Sequence, residues 1–201
     1  MVLGTSLAVL SPTVLIRFRR LTFKGCPMRY PLVLMGMTVA SQLLVACSDS
    51  NAPLVTPHVA LVDQCDAATF NAALGAGTCK TNGSTTFSQF NTELNSQHTV
   101  AAWRFDPTTF TAKLGQSIVV TNSGGEVHTF TEVEEFGGGI VPSLNTASNN
   151  PTETPECAAL AQEDFIQAGA TSTEGPETSI GTEKYQCCIH PWMRATVTVR
   201  R

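Results

Sequence analysis

The stretch Tyr185–Val199, YQCCIHPWMRATVTV, places two cysteines, a histidine and a methionine within seven residues and then alternates in polarity. Disulfide chemistry accounts for the cysteines but leaves the histidine and the methionine unexplained. A single soft metal ion could bind one cysteine, the histidine and the methionine together, because thiolate, imidazole and thioether are ligands of soft metals. The alternating ATVTV segment predicts a β-strand directly after this cluster.

The N-terminal region has the features of a secretion signal. The segment Met28–Cys47, MRYPLVLMGMTVASQLLVAC, has a basic residue near its start, an interrupted apolar run and small residues before a cysteine. Such a run is too short and too interrupted for a membrane-spanning helix, so we predict a signal region at 1–46 with translation starting at Met28. Its last four residues resemble the lipobox of bacterial lipoproteins, which implies lipidation of Cys47. An ordinary signal peptide that ends near a cysteine is the alternative.

The charge balance changes once this region is set aside. The whole chain has 12 Lys+Arg and 16 Asp+Glu, but from Cys47 onward 7 basic and 16 acidic residues remain, a net charge of −9. An acidic exported domain is a poor candidate for binding nucleic acid and a reasonable one for docking basic partner proteins. We expect it in the periplasm or on the outer face of a bacterial membrane, held there by its lipid anchor.

Composition and hydrophobic periodicity divide the rest of the chain into three segments. Residues 47–62 carry the lipidated cysteine and are rich in Ser, Pro and Asn, which predicts a flexible tether. Residues 63–98 predict a small helical extension, whose first helix is capped by Asp66. From residue 99 to 201, short alternating runs separated by glycine turns predict an all-β sandwich or barrel. A long insertion at 137–182 is predicted to be a loop with one or two helical turns around Cys157 to Phe165.

The segments WRFDP, LGQSIVVTNSGGEVHTF and YQCCIHPWM together resemble the cupredoxin family, the blue-copper proteins of the plastocyanin and amicyanin type. The resemblance covers roughly residues 99–200 and implies a cupredoxin-like Greek-key β-sandwich. It implies that His128, which follows the glycine turn, is the first copper ligand. The C-x-x-H-x-x-M loop then supplies Cys187, His190 and Met193, with one type 1 copper per chain and single-electron transfer between redox partners as the function.

The chemistry of these side chains agrees with the resemblance. A thiolate, two imidazoles and a weak thioether favour copper in both oxidation states, whereas structural zinc takes four strong ligands. Zinc bound by Cys187, Cys188, His190 and His128 is the rival arrangement, but adjacent cysteines on a strand point to opposite faces. For Met193 the alternative is a buried core residue.

The small number of histidines excludes copper enzymes that need a second metal centre. A copper oxidase or reductase needs a second centre with further histidines, commonly in His-x-His pairs, and the sequence has no such pair. We therefore predict an electron carrier rather than a self-contained enzyme. A copper module for storage, delivery or sensing is the alternative; an open, polar site would favour it, and a closed loop favours electron transfer.

Three further features surround the predicted ligands. Pro191 and Trp192 are expected to form an apolar collar around His190, where electrons leave the site. Thr129 stands where many family members have an asparagine that braces the cysteine loop. The acidic group Glu132, Glu134 and Glu135 suits a basic partner, with a solvated edge as the alternative.

Five cysteines follow Cys47. If Cys187 binds copper, four of these remain, and four cysteines allow three pairings. Cys65 and Cys79 bracket the first predicted helix and its glycine turn, so we expect them to pair. Cys157 is then left for Cys188, whose position on the strand face opposite Cys187 would let it clamp the insertion. Buried free thiols at these two positions are the alternative.

Overall fold

The computed structural model describes residues 55–201, and the strands in this part of the chain form two mixed sheets. The first has the order β2-β1-β4-β6 and consists of β1 (His58–Val62), β2 (Arg104–Asp106), β4 (Ile118–Asn122) and β6 (Thr171–Glu174). The second has the order β3-β8-β7-β5 and consists of β3 (Thr109–Lys113), β5 (Thr131–Val133), β7 (Gly181–Gln186) and β8 (Arg194–Arg200). Each sheet contains one parallel pair, β1 with β4 and β3 with β8.

The core lies between the buried faces of these sheets. In β8, Ala195, Val197 and Val199 are buried and alternate with partly exposed threonines, because successive strand residues point to opposite faces. The first sheet shows the same alternation in β4, where Ile118 and Val120 are fully buried. The predicted all-β sandwich of two packed sheets is therefore confirmed.

The tether prediction for 47–62 is wrong at its C-terminal end. His58–Val62 forms β1, which lies inside the first sheet between β2 and β4. Val59 and Leu61 are fully buried there, so this short apolar alternation, rather than the surrounding prolines and serines, decides the local structure. The sandwich thus begins well before residue 99. The predicted signal region 1–46, the start at Met28 and lipidation of Cys47 lie outside the described residues.

The predicted helical extension is present and belongs to the same compact unit as the strands. The helix α1 (Ala67–Leu74) begins at Asp66, whose side chain accepts the Thr69 N–H, and α2 (Phe87–Gln97) begins at a capping box. An aromatic cluster joins this extension to the sandwich. Phe70 stacks on Trp103 with 5.6 Å between ring centroids, and Phe90 meets Trp103 edge-on at 4.8 Å.

The insertion 137–182 is more ordered than the predicted loop. It contains α3 (Pro142–Ala147), α4 (Pro155–Ala158) and a single 3-10 turn at Gln162–Asp164. It also supplies β6, which pairs antiparallel with β4 at the edge of the first sheet. The TSTE sequence of β6 lacks apolar residues because an edge strand with both faces partly solvated does not need them. In residues 55–201, no helix combines the length and apolar character that crossing a bilayer requires.

Candidate metal centre

Three buried side chains bring potential metal ligands together at one end of the sandwich. The ligand atoms of His128, Cys187 and His190 all lie within 4.8 Å of one another. The Cys187 Sγ lies 3.7 Å from His128 Nδ1 and 3.8 Å from His190 Nδ1. An ion with bonds of about 2.3 Å to sulfur and about 2.0 Å to nitrogen separates these atoms by about 3.7 Å when its bonds diverge by about 120°. The two sulfur–nitrogen separations therefore match an ion that binds the thiolate together with each imidazole.

Two of these side chains come from one tight turn between adjacent strands. Cys187 follows the last residue of β7, and Met193 precedes the first residue of β8. The Cys187 N–H donates to the Met193 carbonyl at 3.0 Å, and the Met193 N–H donates to the His190 carbonyl at 2.9 Å. The antiparallel pairing of β7 and β8 closes this turn, which fixes Cys187 and His190 on the same side of it.

His128 reaches the site from the segment before β5. It forms an isolated backbone bridge with Ile166 of the insertion, with hydrogen bonds of 3.2 Å and 2.8 Å in the two directions. Its side chain is fully buried. The insertion therefore helps to hold the one ligand candidate that lies far from the cysteine loop in sequence.

The environment of Cys187 favours the thiolate. Burial alone would raise the pKa of the Cys187 thiol, but the hydrogen bonds and charge of His128 and His190 lower this pKa well below its ordinary value. The backbone N–H groups of Thr129 and His190 approach the sulfur at 3.5 Å and 3.4 Å. Because the thiolate is the metal-binding form of cysteine, these contacts prepare the sulfur as a ligand.

Thr129 braces the cysteine loop. Its hydroxyl accepts the Cys188 N–H at 2.8 Å and also accepts a hydrogen bond from the Thr131 hydroxyl at 3.0 Å. The Thr129 side chain thus ties the residue after His128 to the residue after Cys187.

The disulfides separate the structural cysteines from the ligand candidate. Cys65 pairs with Cys79, and Cys157 pairs with Cys188. Among the described residues the free cysteine is Cys187. With its sulfur in a disulfide, Cys188 is not available as a ligand, which removes the rival zinc arrangement.

Met193 is fully buried in the same turn. Its backbone closes the loop that carries Cys187 and His190, while the axial role of its thioether stays a prediction.

Pro191 and Trp192, the predicted collar, follow His190 in the same turn, and Trp192 is partly buried. The Trp192 ring does contact His190 edge-on, at 5.4 Å between centroids. Phe90 of α2 packs against the same ring at 5.9 Å, and Pro191 is buried. The helical extension therefore covers part of this loop. His190 instead borders a cavity of about 460 Å³, beside apolar residues that include Phe90, Leu144 and Ile189.

Sequence reasoning missed two carboxylates that contact the imidazoles. Asp63 Oδ2 lies 2.9 Å from His128 Nε2, and Glu126 Oε2 lies 3.5 Å from His190 Nε2. Burial would raise the pKa of Asp63, but hydrogen bonds from His128 and from the Glu126 and Gly125 N–H groups lower it to about 2. Burial would lower the pKa of His190, yet Cys187 and Glu126 raise it to about 10. For Asp63 the sequence did carry a signal, because this acidic residue directly follows the apolar alternation of β1.

Comparisons with known proteins give only distant similarities. No family model and no curated protein matches the chain. A purple cupredoxin from Nitrosopumilus maritimus is similar at 14% identity over 72% of this chain and 99% of that chain, with a TM-score of 0.40.

Two further solved structures are similar over about half of the chain. A Cu(I) amicyanin variant has 15% identity over 48% of this chain and 73% of its own, with a TM-score of 0.33. The oxidised plastocyanin from Dryopteris crassirhizoma has 20% identity over 49% of this chain and 89% of its own, with a TM-score of 0.33. At these identities the similarity concerns the fold alone.

Proposed function

We propose that this chain is an exported copper protein that carries single electrons between redox partners. One copper ion would be held by His128, Cys187 and His190, with Met193 as a weak axial ligand. The observation that carries the proposal is the buried convergence of one thiolate and two Nδ1 atoms, with sulfur-to-nitrogen distances of 3.7 Å and 3.8 Å. A soft set of this kind suits copper in both oxidation states, and the bound ion would supply a reversible one-electron couple.

The surrounding residues would keep the ligands in place during electron transfer. The Cys187 sulfur receives two backbone N–H groups, and Thr129 ties the cysteine loop to the His128 segment. These bonds do not depend on the charge of an ion. Ligands held in this way move little when the ion gains or loses an electron, which keeps the reorganisation energy small.

Burial favours electron transfer over the alternative of copper storage, delivery or sensing. His128 and Cys187 are fully buried and His190 is 3% exposed. A delivery site must hand the ion to another protein and therefore needs ligands that the recipient can reach, whereas an electron needs only a short path through His190. An enzyme's substrate would also have to reach the ion, so the burial of these ligands supports a carrier rather than a self-contained enzyme.

The proposed partners are redox proteins with basic surfaces. The mature chain has a net charge of −9, and Glu132 and Glu134 are exposed. Glu135 forms an ion pair with Lys184 at 2.6 Å, so the lysine partly neutralises this corner of the acidic group. Charge complementarity of this kind mainly increases the rate of association.

The proposed location is the periplasm or the outer face of a bacterial membrane, with an anchor at Cys47. The two disulfides support an oxidising compartment, because such bonds are rare in a reducing cytosol.

Copper binding with a thiolate-to-copper absorption band tests the proposal. We expect one equivalent of Cu(II) to turn the purified protein blue, and a mild reductant to bleach it reversibly. Cys187→Ser should abolish the colour, while His98→Gln, which changes an exposed histidine at the end of α2, should leave it intact. A colourless wild-type protein, or a coloured Cys187→Ser variant, would exclude the electron-carrier function.

A further inference from the structure

Both imidazoles of the candidate metal centre have a carboxylate on the side that faces away from Cys187. For His128 the Nδ1 atom faces the sulfur at 3.7 Å and the Nε2 atom faces Asp63 at 2.9 Å. For His190 the Nδ1 atom faces the sulfur at 3.8 Å and the Nε2 atom faces Glu126 at 3.5 Å. Asp63 and Glu126 come from different segments of the chain, so no single local motif explains why each histidine faces a carboxylate.

Both carboxylate oxygens of Asp63 have two hydrogen-bonding partners each. Its Oδ1 accepts the N–H groups of Cys65 at 3.1 Å and Gly125 at 3.0 Å. Its Oδ2 accepts the Glu126 N–H at 3.0 Å in addition to the contact with His128. A Cβ at Gly124 would overlap the Asp63 carboxylate. The glycine turn before His128 therefore lets the backbone close over this carboxylate.

Glu126 is held by Trp103, whose indole packs against the helical extension. The Trp103 Nε1–H donates to Glu126 Oε2 at 2.7 Å. Trp103 itself packs against both Phe70 and Phe90 of the extension. The Glu126 side chain is 8% exposed and the His190 side chain 4%, so water screens their interaction poorly.

The two carboxylates make the closed site strongly negative. The Cys187 thiolate and the two carboxylates give three negative charges in the closed site. A dipositive ion would leave a net charge of −1, whereas a monopositive ion would leave −2. A low-dielectric site disfavours the accumulation of like charge. The 2.9 Å hydrogen bond to Asp63 also places a proton on His128 Nε2, which leaves Nδ1 free as a ligand and more basic, and the nearby Glu126 carboxylate favours the same tautomer of His190.

We propose that Asp63 and Glu126 are positioning residues that fix both imidazoles and bias the site toward Cu(II), thereby lowering its reduction potential. This inference rests on the proposed function, since it concerns the ion that His128, Cys187 and His190 would hold. Contacts of this kind typically change metal affinity by 10- to 100-fold.

A pair of substitutions at Glu126 separates charge from shape. Glu126→Gln keeps an acceptor for the Trp103 N–H and removes the charge, whereas Glu126→Asp keeps the charge and shortens the side chain. We expect Glu126→Gln to lose about tenfold in affinity for Cu(II) relative to Cu(I), which equals a rise of about 59 mV in a one-electron potential. Glu126→Asp should have a reduction potential closer to that of the wild type, although its side chain differs more in shape from glutamate than glutamine does.

The measurements are the potential from a spectroscopic redox titration and the two affinities from competition with Cu(II) and Cu(I) chelators. The matched control is Glu132→Gln, which removes an exposed charge outside the site and should change the potential little because solvent and salt screen it. Asp63→Asn should raise the potential in the same direction and lower stability, because its amide group replaces an acceptor needed by two N–H donors.

An unchanged or lower potential in Glu126→Gln would overturn the inference while leaving the copper function intact. An equal shift in Glu126→Asp would overturn it as well, because shape rather than charge would then be responsible. A wild-type protein without a reversible one-electron couple would overturn the proposed function itself, and this inference with it.

Discussion

The disulfide between Cys157 and Cys188 joins the insertion to the end of β7, one residue from Cys187. We expect its removal to lower the free energy of unfolding substantially while leaving the metal centre in place. The double variant Cys157→Ala/Cys188→Ala removes both sulfurs without placing a hydroxyl in the core, since both residues are at most 1% exposed.

The magnitude follows from the length of chain that the disulfide closes. The two cysteines are 31 residues apart in sequence, and a closed loop of this size lowers the entropy of the unfolded chain by an amount worth about 3.7 kcal/mol. The disulfide Cys65–Cys79, with a separation of 14, is worth about 3 kcal/mol by the same relation. The corresponding Cys65→Ala/Cys79→Ala variant is therefore the matched control.

Denaturant unfolding at neutral pH measures both losses, and the visible spectrum of the copper-loaded protein reports on the site. The contacts of the Cys187 sulfur with the Thr129 and His190 N–H groups do not use the disulfide, so the absorption band should keep its position. A loss below about 1 kcal/mol would refute the reasoning that the clamp acts through the unfolded chain. A shifted or absent band would show that the clamp also shapes the site.

Three other predictions concern separate features. Met193→Leu should keep the colour and raise the reduction potential, because it removes a donor that favours Cu(II); loss of copper would contradict the axial role. Burial and the neighbouring Glu177 raise the pKa of Glu183 to about 7 from 4.5, so the folded state holds an extra proton and stability should fall as pH rises through this interval. Glu183→Gln should remove that dependence in urea unfolding between pH 4 and 8, and an unchanged slope would contradict it. Cys47→Ala should move the protein from the membrane to the soluble exported fraction, whereas a wild-type protein already soluble in a mild wash would exclude the lipid anchor.

The helices of the extension could be predicted because the interactions that start and end them are local. Asp66 caps α1 through the N–H of Thr69, three residues away, and Gly75 ends it. Thr86 and Gln89 form the capping box of α2 over the same distance. A pattern within four residues contains all partners of these bonds, so a single sequence suffices to find them.

Strand β1 could not be assigned in this way. It is five residues long, and its partners in the first sheet lie some 45 to 60 positions further along the chain. The prolines and serines before it resemble a tether, and only burial between β2 and β4 distinguishes Val59 and Leu61 from residues of a flexible segment.

The candidate metal centre combines local and distant residues. The sequence by itself indicated Cys187, His190 and Met193 as candidate ligands, because groups on one tight turn lie within a few residues of one another. Tertiary structure decided that Asp63 lies behind His128, since β1 and β4 pair across about 60 residues and bring the two side chains together. It also decided that Trp103 and Glu126 meet, because the aromatic cluster of the extension holds the indole in place. Charge and hydrogen bonding act through space, so the groups that tune a buried ion need not be near its ligands in sequence.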